Sequence, residues 1–345
     1  PYYIWIGVEN YDFRYKSKLL LSIGLGLLNP ILGYFAVINL PWHAEARIVA
    51  GIIPGIFVGI YFFCKQQWGG KLFFDGKLWK YVLGFNAVLI LHYLSMAVLN
   101  QSDRIMINSL CDSSKAGIYN VAYNFAVLLN IISGGITASL TPYVYRCMKN
   151  NSTDKLAYIN NLAAILVGGC ALMLICIVPD VFQFMLPPDY YEAMGIIPPI
   201  TLGAYFMFLY PMFGAIEFYF EVNHYVTIAS LGGAILNIIL NALFIPVFGY
   251  MAAAYTTLVC YLCFALCHYY FMKRILKQKN CTAKIYDGIA ITKISIILSV
   301  ISFIVLYLYD MPVYRWLFFS IIAILMLYKR QYFIANIKMI RQNKS

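Results

Sequence analysis

Asp103 and Arg104 stand side by side at the end of a long apolar run, a carboxylate next to a guanidinium. Ionisable groups at membrane depth tend to face a water-filled cavity or one another. The pair therefore reads either as lining of a polar pathway or as a structural ion pair or helix-end cap near an interface. Amides and phenols gather around it: Asn86, Asn100, Asn120, Asn124 and Asn130, with Tyr93, Tyr119 and Tyr123. Asn86 and Asn100 are about four helical turns apart, and Asn120 and Asn124 are i,i+4 neighbours, so each pair shares a helix face. Amides supply directional hydrogen bonds and tyrosine rings a flat apolar surface, a combination suited to sugar hydroxyls. The same residues also serve as polar contacts between helices, worth about 0.6–2 kcal/mol each.

Three further residues could move charge. His92 lies in the middle of an apolar run, where an imidazole can titrate during ion coupling or be packed in an interface. Glu217 and Glu221 are one helical turn apart at the end of another run and read as a gate, a cation site or a solvated helix end. Asn29, Asn237 and Asn241 read as packing amides. Cys260, Cys263 and Cys267 share one helical face, and small packing residues explain them better than a metal site. No Gly-x-x-x-x-Gly-Lys-Ser/Thr run is present to hold a nucleotide. The residues imply no metal and no cofactor.

The elements that carry these residues are membrane helices. The composition is 62% hydrophobic and 11% charged, with a mean hydropathy of +0.75, which excludes a soluble globular domain. Ten apolar runs of membrane-spanning character fall at about 19–40, 46–64, 81–101, 116–140, 157–178, 196–216, 225–244, 251–272, 290–309 and 314–328. All but four of the 25 Lys and Arg lie in every second segment between them; the exceptions are Arg47, Arg104, Lys115 and Arg315. Cationic loops stay on the cytoplasmic side, so the alternation predicts that both ends face the cytoplasm. The net charge of +11 is accounted for by those loops and needs no nucleic acid. Pro30, Pro54 and Pro198-Pro199 are expected to kink their helices.

A shift of 208 positions lays Ser22–Leu32 over Ser230–Leu240 with six of eleven residues identical, Asn29 over Asn237 among them. Glu9 then overlies Glu217. A six-helix repeat follows from this, with residues 1–64 holding the last two helices of one lobe and 78–272 all six of the other. Residues 273–345 add two helices and a basic tail. The first lobe lacks about four helices, so the chain reads as part of a longer protein, consistent with its start at Pro1.

Three stretches resemble the polysaccharide repeat-unit flippases, a family within the multidrug/oligosaccharidyl-lipid/polysaccharide exporter superfamily. They are Asn100-Gln-Ser-Asp103-Arg104-Ile-Met-Ile107, then Ala116-Gly117-Ile-Tyr119-Asn-Val-Ala122-Tyr123, then Asn237-Ile-Ile-Leu-Asn241 followed by Ile245-Pro246-Val-Phe-Gly249. Their order and spacing match the family's second lobe. The chain departs from the pattern at Ala252-Ala253-Ala254, where the family has Gly-Ala-Ala, and in 217–224, which carries Glu217, Glu221 and His224 in place of a basic residue.

The resemblance implies an all-α integral membrane protein of two six-helix lobes around a central cavity, of which this chain supplies about ten helices. It implies a non-enzymatic transporter that moves an undecaprenyl-pyrophosphate-linked oligosaccharide, such as an O-antigen unit, across a bacterial inner membrane. A polysaccharide polymerase and a chain-length regulator would be its partners, alongside membrane lipids. Asp103, Arg104, Asn100, Asn86, Asn120, Asn124, Tyr119 and Tyr123 would line the substrate pathway, and His92, Glu217 and Glu221 would serve coupling. Two other functions compete: a cation-coupled multidrug exporter of the same superfamily, and a membrane glycosyltransferase or polymerase. The second requires a large extramembrane loop with basic residues for a pyrophosphate. The longest outer segment, about 179–195, has Asp180, Asp189 and Glu192 and no Lys or Arg.

Overall fold

The structure, a computed structural model, describes residues 1–12, 14–70 and 74–331. Lys71 and the tail residues Lys338, Arg341 and Lys344 lie outside the described residues. Every regular element among the described residues is a helix, as expected where lipid offers the backbone no hydrogen-bond partner. The helices are α1 (Tyr2–Tyr11), α2 (Tyr15–Asn39), α3 (His43–Gly70), α4 (Gly76–Leu110), α5 (Ser113–Lys149), α6 (Leu156–Met185), α7 (Ile197–Tyr219), α8 (Asn223–Phe248), α9 (Ala252–Gln278), α10 (Gly288–Tyr307) and α11 (Pro312–Tyr328). A 3₁₀ helix, Pro188–Ile196, precedes α7.

Nine of these helices are long and apolar enough to cross a membrane. The tenth apolar run forms α11, a shorter helix of 17 residues, and α1 adds a short helix that hydropathy did not announce. The protein is a multi-pass membrane protein.

Two compact units divide the chain, Pro1–Val82 and Leu83–Ser345. In the first, α2 packs along α3, and α1 rests on both, with Trp5 stacked on Phe62 at 4.5 Å. Asn29 donates to the Gly51 carbonyl at 3.2 Å and accepts from Arg47 at 3.1 Å. Gly33 leaves the room that the Arg47 guanidinium fills, since a Cβ there would lie 2.7 Å from Nη1.

In the second unit α7 is buried on nearly every face, from Ile197 to Glu217, as a helix that is apolar all round must be. It packs against α5, α6, α9 and α10, while α8 lies along α9. α10 and α11 both pack on α6, where Gly168 meets Leu298 and Gly169 meets Met326. Small residues let membrane helices approach closely in this way.

Scarce acids start the helices. Asp75 accepts the Lys77 and Leu78 amides at 2.8 and 3.1 Å, Asp112 the Lys115 amide at 2.8 Å, and Asp287 the Ala290 amide at 3.1 Å. The Lys284 ammonium and the Ala290 amide hold the Asp287 carboxyl below its usual range. At the other end of α8, Gly249 stops the helix at φ +72°, a backbone conformation that side chains resist.

Two sequence expectations are corrected here. Pro198 and Pro199 stand in the first turn of α7, where the missing N–H is an orphan anyway, so they begin the helix and do not kink it. Residues 179–195 are no open loop, because α6 continues to Met185 and the 3₁₀ helix follows almost at once.

Candidate functional site

α4 sets the site. Its buried stripe runs Leu89, His92, Ser95, Leu99, Ser102, Asp103 and Ile107, spaced mostly three or four apart, so its polar side chains face inward. Asp103 is 2% exposed and its carboxylate is fully occupied. Oδ1 accepts from Asn241 Nδ2 at 2.7 Å and Asn237 Nδ2 at 3.2 Å, and Oδ2 from Tyr119 Oη and Thr257 Oγ1, both at 2.7 Å. An ionised carboxylate has about four lone-pair positions, and four donors from α5, α8 and α9 fill them. A second tier holds the donors in place. Ser102 donates to Asn237 Oδ1 at 2.5 Å, Asn237 to Thr257 at 3.0 Å, and Thr256 to Asn241 Oδ1. Four helices are thus joined through one acid.

Arg104, the next residue, does not pair with Asp103. It is half-buried, donates to Gln101 at 2.6 Å, and lies over the Tyr123 ring at 4.3 Å. Tyr123 Oη and Tyr261 Oη converge on Asn100 Oδ1 at 3.2 and 3.1 Å. Beside the acid there is therefore a guanidinium over a phenol ring, whose hydroxyl meets an amide. That set offers donors and a flat surface, which suits an anionic or polyhydroxylated ligand.

A second polar group lies on the same α4 stripe about three turns away, at His92. Its Nε2 meets Tyr210 Oη of α7 at 3.1 Å. The Tyr210 ring lies tilted against His268 of α9, centroids 4.5 Å apart, and His268 Nδ1 meets Glu217 Oε1 at 2.7 Å. Glu217 and His268 are both completely buried.

The solvated helix end expected at Glu217 is therefore corrected. α7 continues three residues past the end of its most apolar stretch, and the added turn carries Glu217 inward onto α9. Glu221 does not share that turn; it is exposed, beyond the helix, at φ +57°. The Asp103–Arg104 pair and helix-end cap are corrected as well, because α4 runs on to Leu110 and Asp103 bonds other helices.

Of the remaining expected residues, Asn86 and Asn124 are exposed and Asn120 is half-buried. The shared face of Asn120 and Asn124 thus points away from the core of the unit. Tyr119, fully buried, serves Asp103, while Tyr123 serves Arg104 and Asn100. Cys260 is buried, Cys263 half-buried and Cys267 exposed.

Sequence reasoning missed Tyr210, His268, Thr256, Thr257 and Tyr261. Only His268 carried a signal, as an imidazole inside an apolar run.

The four cations that break the charge alternation all have specific partners. Arg47 bonds Asn29, Arg104 lies over Tyr123, Lys115 meets Glu192 at 2.6 Å, and Arg315 meets Asp180 at 2.9 Å.

Residues 31–148, from α2 through α5, match the family described as Polysaccharide biosynthesis protein. A protein of the Lsg locus of Haemophilus influenzae is 29% identical over 111 residues, covering 30% of this chain and 27% of that protein. An uncharacterized membrane protein of the same organism is 26% identical over 113 residues, covering 31% and 28%. The chain thus spans only about a quarter of the length of these curated relatives. Among solved structures, the lipid II flippase MurJ in an inward closed conformation superposes with a TM-score of 0.58 at 16% identity, over 96% of this chain and 72% of its own. Residues 31–148 thus resemble a polysaccharide biosynthesis family, and the likeness to MurJ is one of fold.

Proposed function

We propose that the chain is part of a flippase that carries undecaprenyl-pyrophosphate-linked oligosaccharide repeat units across the bacterial inner membrane, toward O-antigen or another surface polysaccharide. One observation carries this reading. The stretch that matches the polysaccharide family contains Asn100, Arg104 and Tyr123, the residues that form the cation, phenol and amide group. A guanidinium placed over a ring keeps donors for phosphate oxygens, and ring and amide suit sugar faces. Multi-pass architecture and likeness to MurJ in fold agree with transport rather than catalysis. A polymerase and a chain-length regulator would receive the product.

The test is complementation with the full-length gene in a strain lacking its own flippase for this polysaccharide. Restored surface polysaccharide supports the reading. Normal polysaccharide in the deleted strain, or none on complementation with a protein that inserts normally, overturns it.

A further inference from the structure

Glu217 and His268 are fully buried between α7 and α9, their Oε1 and Nδ1 atoms 2.7 Å apart. Tyr210 lies between the two histidines of this region, its ring tilted against His268 and its hydroxyl hydrogen-bonded to His92 on α4. Phe264 closes the edge of His268 at 4.6 Å. Three polar atoms of the group have no partner: Glu217 Oε2, His268 Nε2 and His92 Nδ1. Buried polar atoms ordinarily find partners, and three orphans in one cluster are out of keeping with a purely structural contact. Other titratable groups face the cluster from neighbouring elements. Tyr93 of α4 and Tyr145 of α5 face Tyr210, Cys267 of α9 lies near Glu217, and Tyr286, ahead of α10, donates to the Met212 carbonyl of α7.

One proton shared by Glu217 and His268 leaves the pair neutral overall, whether it sits on oxygen or nitrogen. A second proton makes the pair cationic, and loss of the first makes it anionic. Either charged form is costly in a dry helix interface unless water or a counter-charge reaches it. Proton uptake or release therefore favours a different packing of α7 against α9, and through Tyr210 and His92 the change reaches α4. A ligand shifts a conformational equilibrium only through unequal affinity for the two states, and a buried pair of this kind provides it for a proton.

We propose that Glu217 and His268 form a proton-binding site, with Tyr210 and His92 linking its occupancy to α4, the helix that carries Asp103 and Arg104. The coupling role rests on the flippase reading above; the binding of a proton does not. The proton comes from water and returns to water, and no bond other than N–H or O–H is made or broken.

The test uses the full-length protein in lipid nanodiscs. Difference infrared spectra between acidic and alkaline buffer report carboxyl protonation, and NMR of isotope-labelled histidine reports the imidazoles. A buried carboxyl and an imidazole signal should titrate together and be lost together in Glu217→Gln and in His268→Asn. Tyr210→Phe keeps the ring between the histidines, and should shift the His92 resonance while the carboxyl signal persists. Wild-type spectra in which no buried carboxyl or imidazole titrates overturn the proposal, and so does a carboxyl signal unchanged in Glu217→Gln. The wild-type spectra decide even if the variants fail to insert. Restored polysaccharide with silent spectra overturns the proton site alone, whereas titration without restored polysaccharide overturns the flippase reading and leaves the site standing.

Discussion

Asn241 Nδ2 donates to Asp103 Oδ1 at 2.7 Å, tying α8 to α4 across 138 positions of sequence. Three other donors converge on the same carboxylate, and each loses its partner if the acid is removed. Leaving a buried donor unsatisfied costs about 1–3 kcal/mol, so Asp103→Ala should destabilise the second unit by roughly 2–5 kcal/mol after partial relaxation. Thermal unfolding in detergent, followed by intrinsic fluorescence, measures the difference. Equal stability of wild type and Asp103→Ala would show that the carboxylate does not join the helices.

In the proposed pathway Arg104 acts through shape as well as charge. Its contact over the Tyr123 ring, 4.3 Å to the centroid, is worth about 0.5–2 kcal/mol, and a lysine reproduces it poorly. Arg104→Lys should therefore insert normally yet lose much of the surface polysaccharide in the complementation assay, with Arg104→Ala lower still. Tyr123→Phe keeps the ring and gives up only the bond to Asn100, so it should fall between wild type and Arg104→Lys. Full activity in both arginine variants would remove Arg104 from the substrate pathway.

Much of the architecture was legible before any coordinates, for a physical reason. Lipid forces backbone polar groups into helices, so apolar runs report helices directly. Side-chain partners were not legible. The contacts of Asp103 lie 16 to 154 positions away, and hydropathy carries no register between helices. A solvated helix end was among the readings of Glu217 because it stands just beyond the most apolar stretch. Whether that last turn points outward or onto His268 depends on how α7 is rotated against α9, which only packing determines. The exceptions among the charges were visible, but the partners that account for them were not.

Two glycines distinguish a rigid from a yielding neighbour. A Cβ at Gly203 of α7 would lie 3.1 Å from Cδ2 of Tyr261, a ring held at its far end by Asn100. A Cβ at Gly169 of α6 would lie 2.9 Å from Sδ of Met326, the end of a flexible chain. Although the second contact is shorter, it is easier to relieve. Gly203→Ala should cost about 1–3 kcal/mol and Gly169→Ala less than about 1 kcal/mol. The same unfolding measurement separates them, and the reverse order would mean that Tyr261 is not fixed by Asn100.

Arg315 on α11 is 3% exposed on its side chain, and its partner Asp180 on α6 is 42% exposed. The asymmetry predicts unequal costs. Removing Asp180 strands a buried guanidinium, whose Nε and Nη1 already lack partners, whereas removing Arg315 leaves a carboxylate that water can reach. Breaking a fully buried pair costs about 3–5 kcal/mol, and the exposure of Asp180 lowers that to roughly 1–3 kcal/mol for Asp180→Ala. Arg315→Met fills the same space without a charge and should be close to neutral. Because α11 packs on α6, the loss should appear first as increased protease access to the turn ahead of α11, residues 308–311, before global unfolding. A double-mutant cycle with limited proteolysis as its readout gives the coupling. Equal sensitivity of the two single variants would show that burial of Arg315 does not set the strength of the contact.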